Sequence, residues 1–261
     1  MYKVPCTKYK VGENGLSIAP IINNSITLPK HAMRKNNQYY ARRIHRFLGV
    51  FIGIQFLFWT ISGLYFSWTD IDEIHGDHFH QDHMMHMTAS NLLDPSQLDS
   101  TLEISTLELR FVKHQPYYWV NNAQLYHAQT GEAKSEITAE DAKEIAKIYI
   151  KGDFAIKSAE YLTEAGSHHE YRGRPLPAWA VHFDHPEKLT AYIDAKSGNF
   201  ERVRHQNWRW FDFLWMFHTM DYAGRDNFNN LLLRAFSLFG LVTIGSGFTL
   251  FFMTIKKKRK T

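Results

Sequence analysis

FLGVFIGIQFLFWTISGLYFSW, residues 47–68, decides the fold: 22 consecutive residues carry no charge, and about 20 are needed to cross the hydrocarbon core of a bilayer. A second uncharged run, AFSLFGLVTIGSGFTLFFMTI at 235–255, lies near the other end of the sequence. Its Gly240, Gly245, Ser246 and Gly247 are small enough to let a neighbouring helix approach closely. The mean hydropathy of the chain as a whole is negative, so apolar character is segregated into these runs. The first run is longer than a signal-peptide core, follows 46 residues and precedes no small-residue cleavage site, so it is expected to stay in the mature chain.

Charge orients the two runs. Lys30, Arg34, Lys35, Arg42, Arg43 and Arg46 precede the first, and Lys256, Lys257, Lys258, Arg259 and Lys260 follow the second, whereas residues 69–109 contain no Lys or Arg. Both termini are therefore expected in the cytoplasm and the central part outside. Arg202, Arg204, Arg209, Arg225 and Arg234 oppose this bias, but they belong to a long translocated segment where it counts less. The basic tail beside a span reads as a stop-transfer signal drawn to anionic lipid. The expected partner is the lipid bilayer, with no nucleic acid. Cys6, the one cysteine, falls on the inner side, so the outer domain has neither disulfides nor thiolate ligands.

The fold class that follows is α+β: two transmembrane helices with a small extracytoplasmic domain inserted between them. The segments are a cytoplasmic stretch at 1–46, spans at 47–68 and 231–255, a His/Asp-rich segment at 69–89 and the domain at 90–205. An aromatic interfacial helix and loop at 206–230 and a basic tail at 256–261 complete the chain. Within the domain, YYWVNNAQLYHA at 117–128 reads as a strand followed by a turn at 129–132. Thr138, with acids behind it and Ala142, Ile145, Ala146 and Tyr149 at helical spacing, predicts a helix over 139–150. Residues 179–183 and 189–194 read as a hairpin. A weak repeat links HAQTGE at 127–132 to DAKSGN at 194–199, with the helix between them.

The second of these units (LTAYIDAKSGNFERV), the lead-in His45-Arg46-Phe47-Leu48-Gly49, the exit Ser62-Gly63-Leu64-Tyr65-Phe66, and the Trp-rich stretch with Phe217-His218 occur in a distinctive order. In that order the chain resembles the PepSY-associated transmembrane family over about residues 40–255. The resemblance implies PepSY modules outside a bacterial inner membrane. Relatives with more spans look like iron-regulated siderophore reductases that carry haem between transmembrane histidines. This chain has two spans, so a complete electron path requires a homo-oligomer or other membrane subunits.

The densest chemistry is TDIDEIHGDHFHQDHMMHM, just outside the first span, with five histidines in the twelve residues 75–86. His75 with His78, and His83 with His86, are three apart, so on a helix each pair would share a face and offer two imidazoles to one metal. Asp77, Asp82 and His80 add further donors. This ligand set suits Zn, Cu or Fe, and Met84, Met85 and Met87 also tolerate Cu(I). The plain alternative is a solvated acidic connector.

His45 and His218 lie near the membrane boundaries. A b-type haem held by two histidines needs both at one depth, and a 20-residue helix places these two about 30 Å apart. They are not a pair within one chain. His218 is expected to face His75 or His78, and His45 its own copy in a second chain; interfacial anchoring beside Trp and Tyr is the alternative for both. His168-His169 is read as a loop. No phosphate cradle, GxSxG elbow or HExxH helix is present. Together these readings predict a membrane accessory of metal or haem-linked electron handling, a redox subunit rather than a complete enzyme. The alternative is a non-catalytic module that engages a peptide or partner protein.

Overall fold

The computed structural model describes residues 37–81, 88–98 and 101–258. The first apolar run lies in α1 (Asn37–Trp68), a 32-residue helix, and the second in α5 (Leu231–Lys258). The stretches Tyr39–Trp68 and Leu231–Ile255 are long and apolar enough to cross a membrane. Only 17% and 11% of their apolar windows are buried against the rest of the chain, which is not how the core helix of a soluble protein sits.

The two helices pack on each other antiparallel. His45 Nδ1 meets Ser246 Oγ at 2.8 Å near the start of α1, and Phe51 stacks on Phe236 at 5.4 Å. Gly240 makes room for the Phe56 ring, since a Cβ there would sit 2.9 Å from it. A small residue at this position lets the facing helix pack its aromatic side chain against it.

Between the helices lies a tandem β domain. The strands β1 (Leu107–Val112), β2 (Gln115–Val120), β3 (Gln124–His127) and β4 (Ala133–Lys134) form one antiparallel meander. A helix, which we number α3 (Ala139–Tyr149), follows; a short α2 precedes the sheet and is described with the site. The second meander comprises β5 (Ile156–Leu162), β6 (Ala178–Phe183), β7 (Thr190–Asp194) and β8 (Phe200–Arg204).

Residues 117–128 form a hairpin, β2 and β3, rather than one strand. Asn121 and Asn122 both take positive φ (53° and 54°) and reverse the chain between them, a conformation that Asn tolerates better than other side chains. The repeat is real at the level of the turn. The Gly131 N–H donates to the His127 carbonyl at 2.8 Å and the Gly198 N–H to the Asp194 carbonyl at 2.9 Å, with φ of 76° and 71° at the glycines.

The core shows why the apolar residues fall where they do. Ala142, Ile145 and Ala146 on one face of α3 pack with Leu125, Val181, Ala191, Ile193 and Val203 from both sheets. Every residue of β7 is buried, because its other face is covered in turn by Tyr171, which stacks on Tyr192 at 4.7 Å. Burial on both faces explains its lack of polar alternation.

Candidate functional site

The chain leaves α1 through α2 (Ile71–His75), which Asp70 caps by accepting from the Asp72 N–H. Gly76 ends it at φ 88°, and a 3-10 turn at Asp77–Phe79 follows. Gly76 is required there twice over: its φ is left-handed, and a Cβ would stand 2.5 Å from Val203 Cγ1 and 3.6 Å from His205 Cδ2. The glycine lets this turn press against the end of β8.

The contact places His78 beside His205, with ring centroids 5.4 Å apart, and Glu187 completes the group. One ligand atom from each of the three lies within 4.8 Å of the others. His205 stands fully buried at the N-terminus of α4 (Gln206–Thr219), between β8 and that helix. Glu187 sits in the β6–β7 turn, which is tied down by the Gln206 N–H donating to its carbonyl at 2.8 Å.

The polar environment of His205 is unusual. Nε2 lies 3.1 Å from the Ile74 carbonyl and Nδ1 lies 3.0 Å from Glu187 Oε2, and both partners are acceptors. A neutral imidazole has one N–H, so one of these contacts needs a further cation, either a second proton or a metal ion. If Nε2–H is given to the carbonyl, the Nδ1 lone pair faces the carboxylate with His78 alongside. Two imidazoles and a carboxylate, one imidazole oriented by a backbone carbonyl, are groups that could hold a transition metal.

The structure separates His75 from His78. Their spacing would pair them on a continuous helix, but α2 stops at His75 because Gly76 turns the chain. His78 therefore faces His205, while His75 lines a different cleft with Asp77 and His80. His80 forms a bridge to Ile150 and its ring lies against Tyr149 and Phe200. Asp82, His83 and His86, with Met84, Met85 and Met87, fall outside the described residues. Sequence reasoning missed Glu187 and His205, which are far from the histidine segment along the chain and carry no local motif.

His218 and His45 occupy matched settings in the helical hairpin. The α4 helix lies along α1, with Phe66 on Phe211 at 4.6 Å and Phe58 stacked on Phe217 at 5.4 Å. Gln55 Nε2 and Trp59 Nε1 donate to the Phe217 and His218 carbonyls at 3.2 and 2.9 Å. The His218 ring lies between Phe66 and Trp215, with Nδ1 2.9 Å from Ser62 Oγ. Burial pushes this imidazole below its ordinary pKa.

Ser62 donates its own proton to the Phe58 carbonyl at 2.8 Å, so it accepts from His218 Nδ1–H and leaves the lone pair on Nε2. Ser246 likewise donates to the Thr243 carbonyl at 2.7 Å and accepts from His45 Nδ1–H. Neither Nε2 has a hydrogen-bond partner among the described residues. Seventeen residues of α1, about 25 Å of helix, separate His45 from Ser62. The contacts of His218 are to α1 and its own helix, and none is to His75 or His78.

An ion-pair network holds α4 to the domain. Asp212, buried on α4, accepts from Arg172 at 2.6 Å and pairs with Arg225, while Arg172 also meets Asp226 at 3.0 Å. Burial would raise the Glu170 carboxyl, but hydrogen bonds from Arg209 and the Tyr192 hydroxyl outweigh it and hold it below its ordinary range. The 168–172 segment is thus a loop, yet its Glu170 and Arg172 clamp the helix.

Two antiparallel helices with outward apolar faces, carrying tandem antiparallel sheets at one end, define a membrane-anchored protein with a single extramembranous module. The family model of the PepSY-associated TM region matches residues 15–254, and the chain belongs to that family. No curated protein and no solved structure matches it.

Proposed function

We propose that this protein is an accessory of extracytoplasmic metal handling at a bacterial inner membrane, holding one Fe, Cu or Zn ion through His78, Glu187 and His205. The observation that carries the reading is His205: fully buried, it faces two acceptors, and a metal ion between Nδ1 and Glu187 satisfies all three groups. The site's position supports the role, because it joins the turn after α1 to the head of α4 and so links domain to membrane anchor. Metal content of the detergent-purified full chain tests it. About one equivalent of a transition metal is expected, lost in His78→Ala and in Glu187→Gln. Metal-free protein after expression in metal-supplemented medium would sink the reading.

A second reading places haem in the hairpin, and the matched Ser–His pairs favour it: each serine leaves an Nε2 lone pair aimed at no protein group. A second axial imidazole then comes from the same histidine of another copy. A reduced-minus-oxidised haem spectrum that disappears in His218→Ala, with the metal content at His78 unchanged, separates this reading from the first. Colourless and metal-free protein would leave the sheet edges of the domain, engaging a peptide or partner by strand addition, as the role.

A further inference from the structure

A cleft of about 610 Å³ lies between the His75–His80 turn, β8 and α4. Arg202 and Arg204, two apart on β8, project to the same face and both line it. Arg204 is buried, with its guanidinium 4.0 Å over the Trp208 ring, and its hydrogen bonds go only to the backbone carbonyls of Glu170 and Val203. It has no carboxylate in ion-pair range among the described residues. Arg202 makes no ion pair among them either, and its buried Nε lacks a hydrogen-bond partner. Arg174 reaches Glu201 only at 3.9 Å.

The carboxylates of the cleft do not make up the difference. Asp212 and Asp226 are taken by Arg172 and Arg225, and Glu170 by Arg209. Once Arg209 and Arg225, which pair with Glu170 and Asp212 from outside the lining, are counted, Asp77 and Glu201 remain against Arg174, Arg202 and Arg204, one positive charge in excess. Arg202 and Arg204 have donors aimed at nothing acidic, and a buried cation such as Arg204 requires an anion or a high cost in desolvation.

We propose that this cleft is a phosphate site that holds a singly charged phosphodiester between Arg202 and Arg204. The guanidinium fork matches phosphate oxygens in geometry, and one excess charge matches one phosphodiester. Two walls identify the source as a phospholipid headgroup. Phe211 and Trp215 line the cleft and also pack on Phe66, in the last turn of the membrane-spanning helix, so the polar pocket and an apolar flank meet where the span ends. A headgroup with acyl chains presents both faces at that depth.

Native mass spectrometry of the full chain in detergent, with phosphatidylglycerol, phosphatidylcholine or glycerol 3-phosphate added, tests the site. Selective retention of phosphatidylglycerol is expected, weakened about tenfold in Arg202→Gln, the worth of one charge-assisted hydrogen bond. Arg204→Gln should do the same; should it unfold by circular dichroism, the less buried Arg202→Gln decides alone. Arg202-dependent binding of glycerol 3-phosphate without selective lipid retention keeps the phosphate site and overturns the lipid source. Binding of lipid and of glycerol 3-phosphate that is equal in wild type and Arg202→Gln overturns the site.

Discussion

Asp141 shows how one side chain can tie local structure to stability. It stands at the third position of α3, where its carboxylate accepts from the Thr138 N–H at 3.0 Å while Thr138 Oγ accepts from the Asp141 N–H, a reciprocal capping box. Burial by itself would raise this carboxyl, but hydrogen bonds from Lys134, the Thr138 amide and Lys113 outweigh it and hold it well below the usual carboxylate range. A depressed folded-state pKa contributes stability that is present above the unfolded value, about 3.9, and is lost as pH falls towards the folded value. Thermal unfolding between pH 7 and pH 2 should therefore show an acid-labile component below about pH 4. Asp141→Asn should remove that component and cost about 1–2 kcal/mol at neutral pH, from a weakened cap and lost charge-assisted bonds. An unchanged acid limb in the variant would refute the assignment. Thr138 and Asp141 were readable as a cap from spacing alone, because capping is local; the two lysines were not, since they arrive from the first sheet.

At the scale of elements, the seating of α4 on α1 decides where the hairpin histidines lie. A helix leaves its last carbonyls without intrahelical donors, and α4 solves this with side chains of a different helix. Gln55 and Trp59, inside the apolar run of α1, donate to the Phe217 and His218 carbonyls. In the sequence these two residues look like isolated polar atoms tolerated in a span, and their purpose exists only once α4 is alongside. Trp59→Phe keeps the aromatic bulk and removes the donor. It should destabilise the end of α4 by about 1 kcal/mol, read as faster hydrogen exchange at residues 217–222 with the β domain unaffected. Exchange unchanged there would mean the carbonyls have another donor. The same scale explains the strand reading at 117–128: the aromatic composition was correct for β structure, and the two asparagines that divide it into a hairpin have a turn preference weaker than that of Asn-Gly.

For the whole molecule, the antiparallel contact of α1 with α5 brings the start of one helix beside the far half of the other, so the start of α1 and the end of α5 point the same way. From the Lys/Arg distribution we propose that this end faces the cytoplasm. A reporter fused after Thr261 should be active only when cytoplasmic folding is required, and one inserted in the β6–β7 turn at 184–188 only when export is. A C-terminal signal from outside would reverse the orientation and place the His78–Glu187–His205 group and the arginine cleft in the cytoplasm.

Two membrane helices, a β-rich domain between them and the helix α3 were legible in the sequence, because each rests on a run, a period or a cap contained within a few dozen neighbouring residues. The histidine segment drew attention for the same reason. Which histidine would work with which was decided by tertiary structure. Gly76 breaks the helical pairing of His75 with His78, the close approach it permits brings in His205 and Glu187, and the serines that orient His45 and His218 come from opposite helices. Spacing along a chain reports faces only while the helix continues, and contacts between distant segments depend on packing that no local pattern encodes.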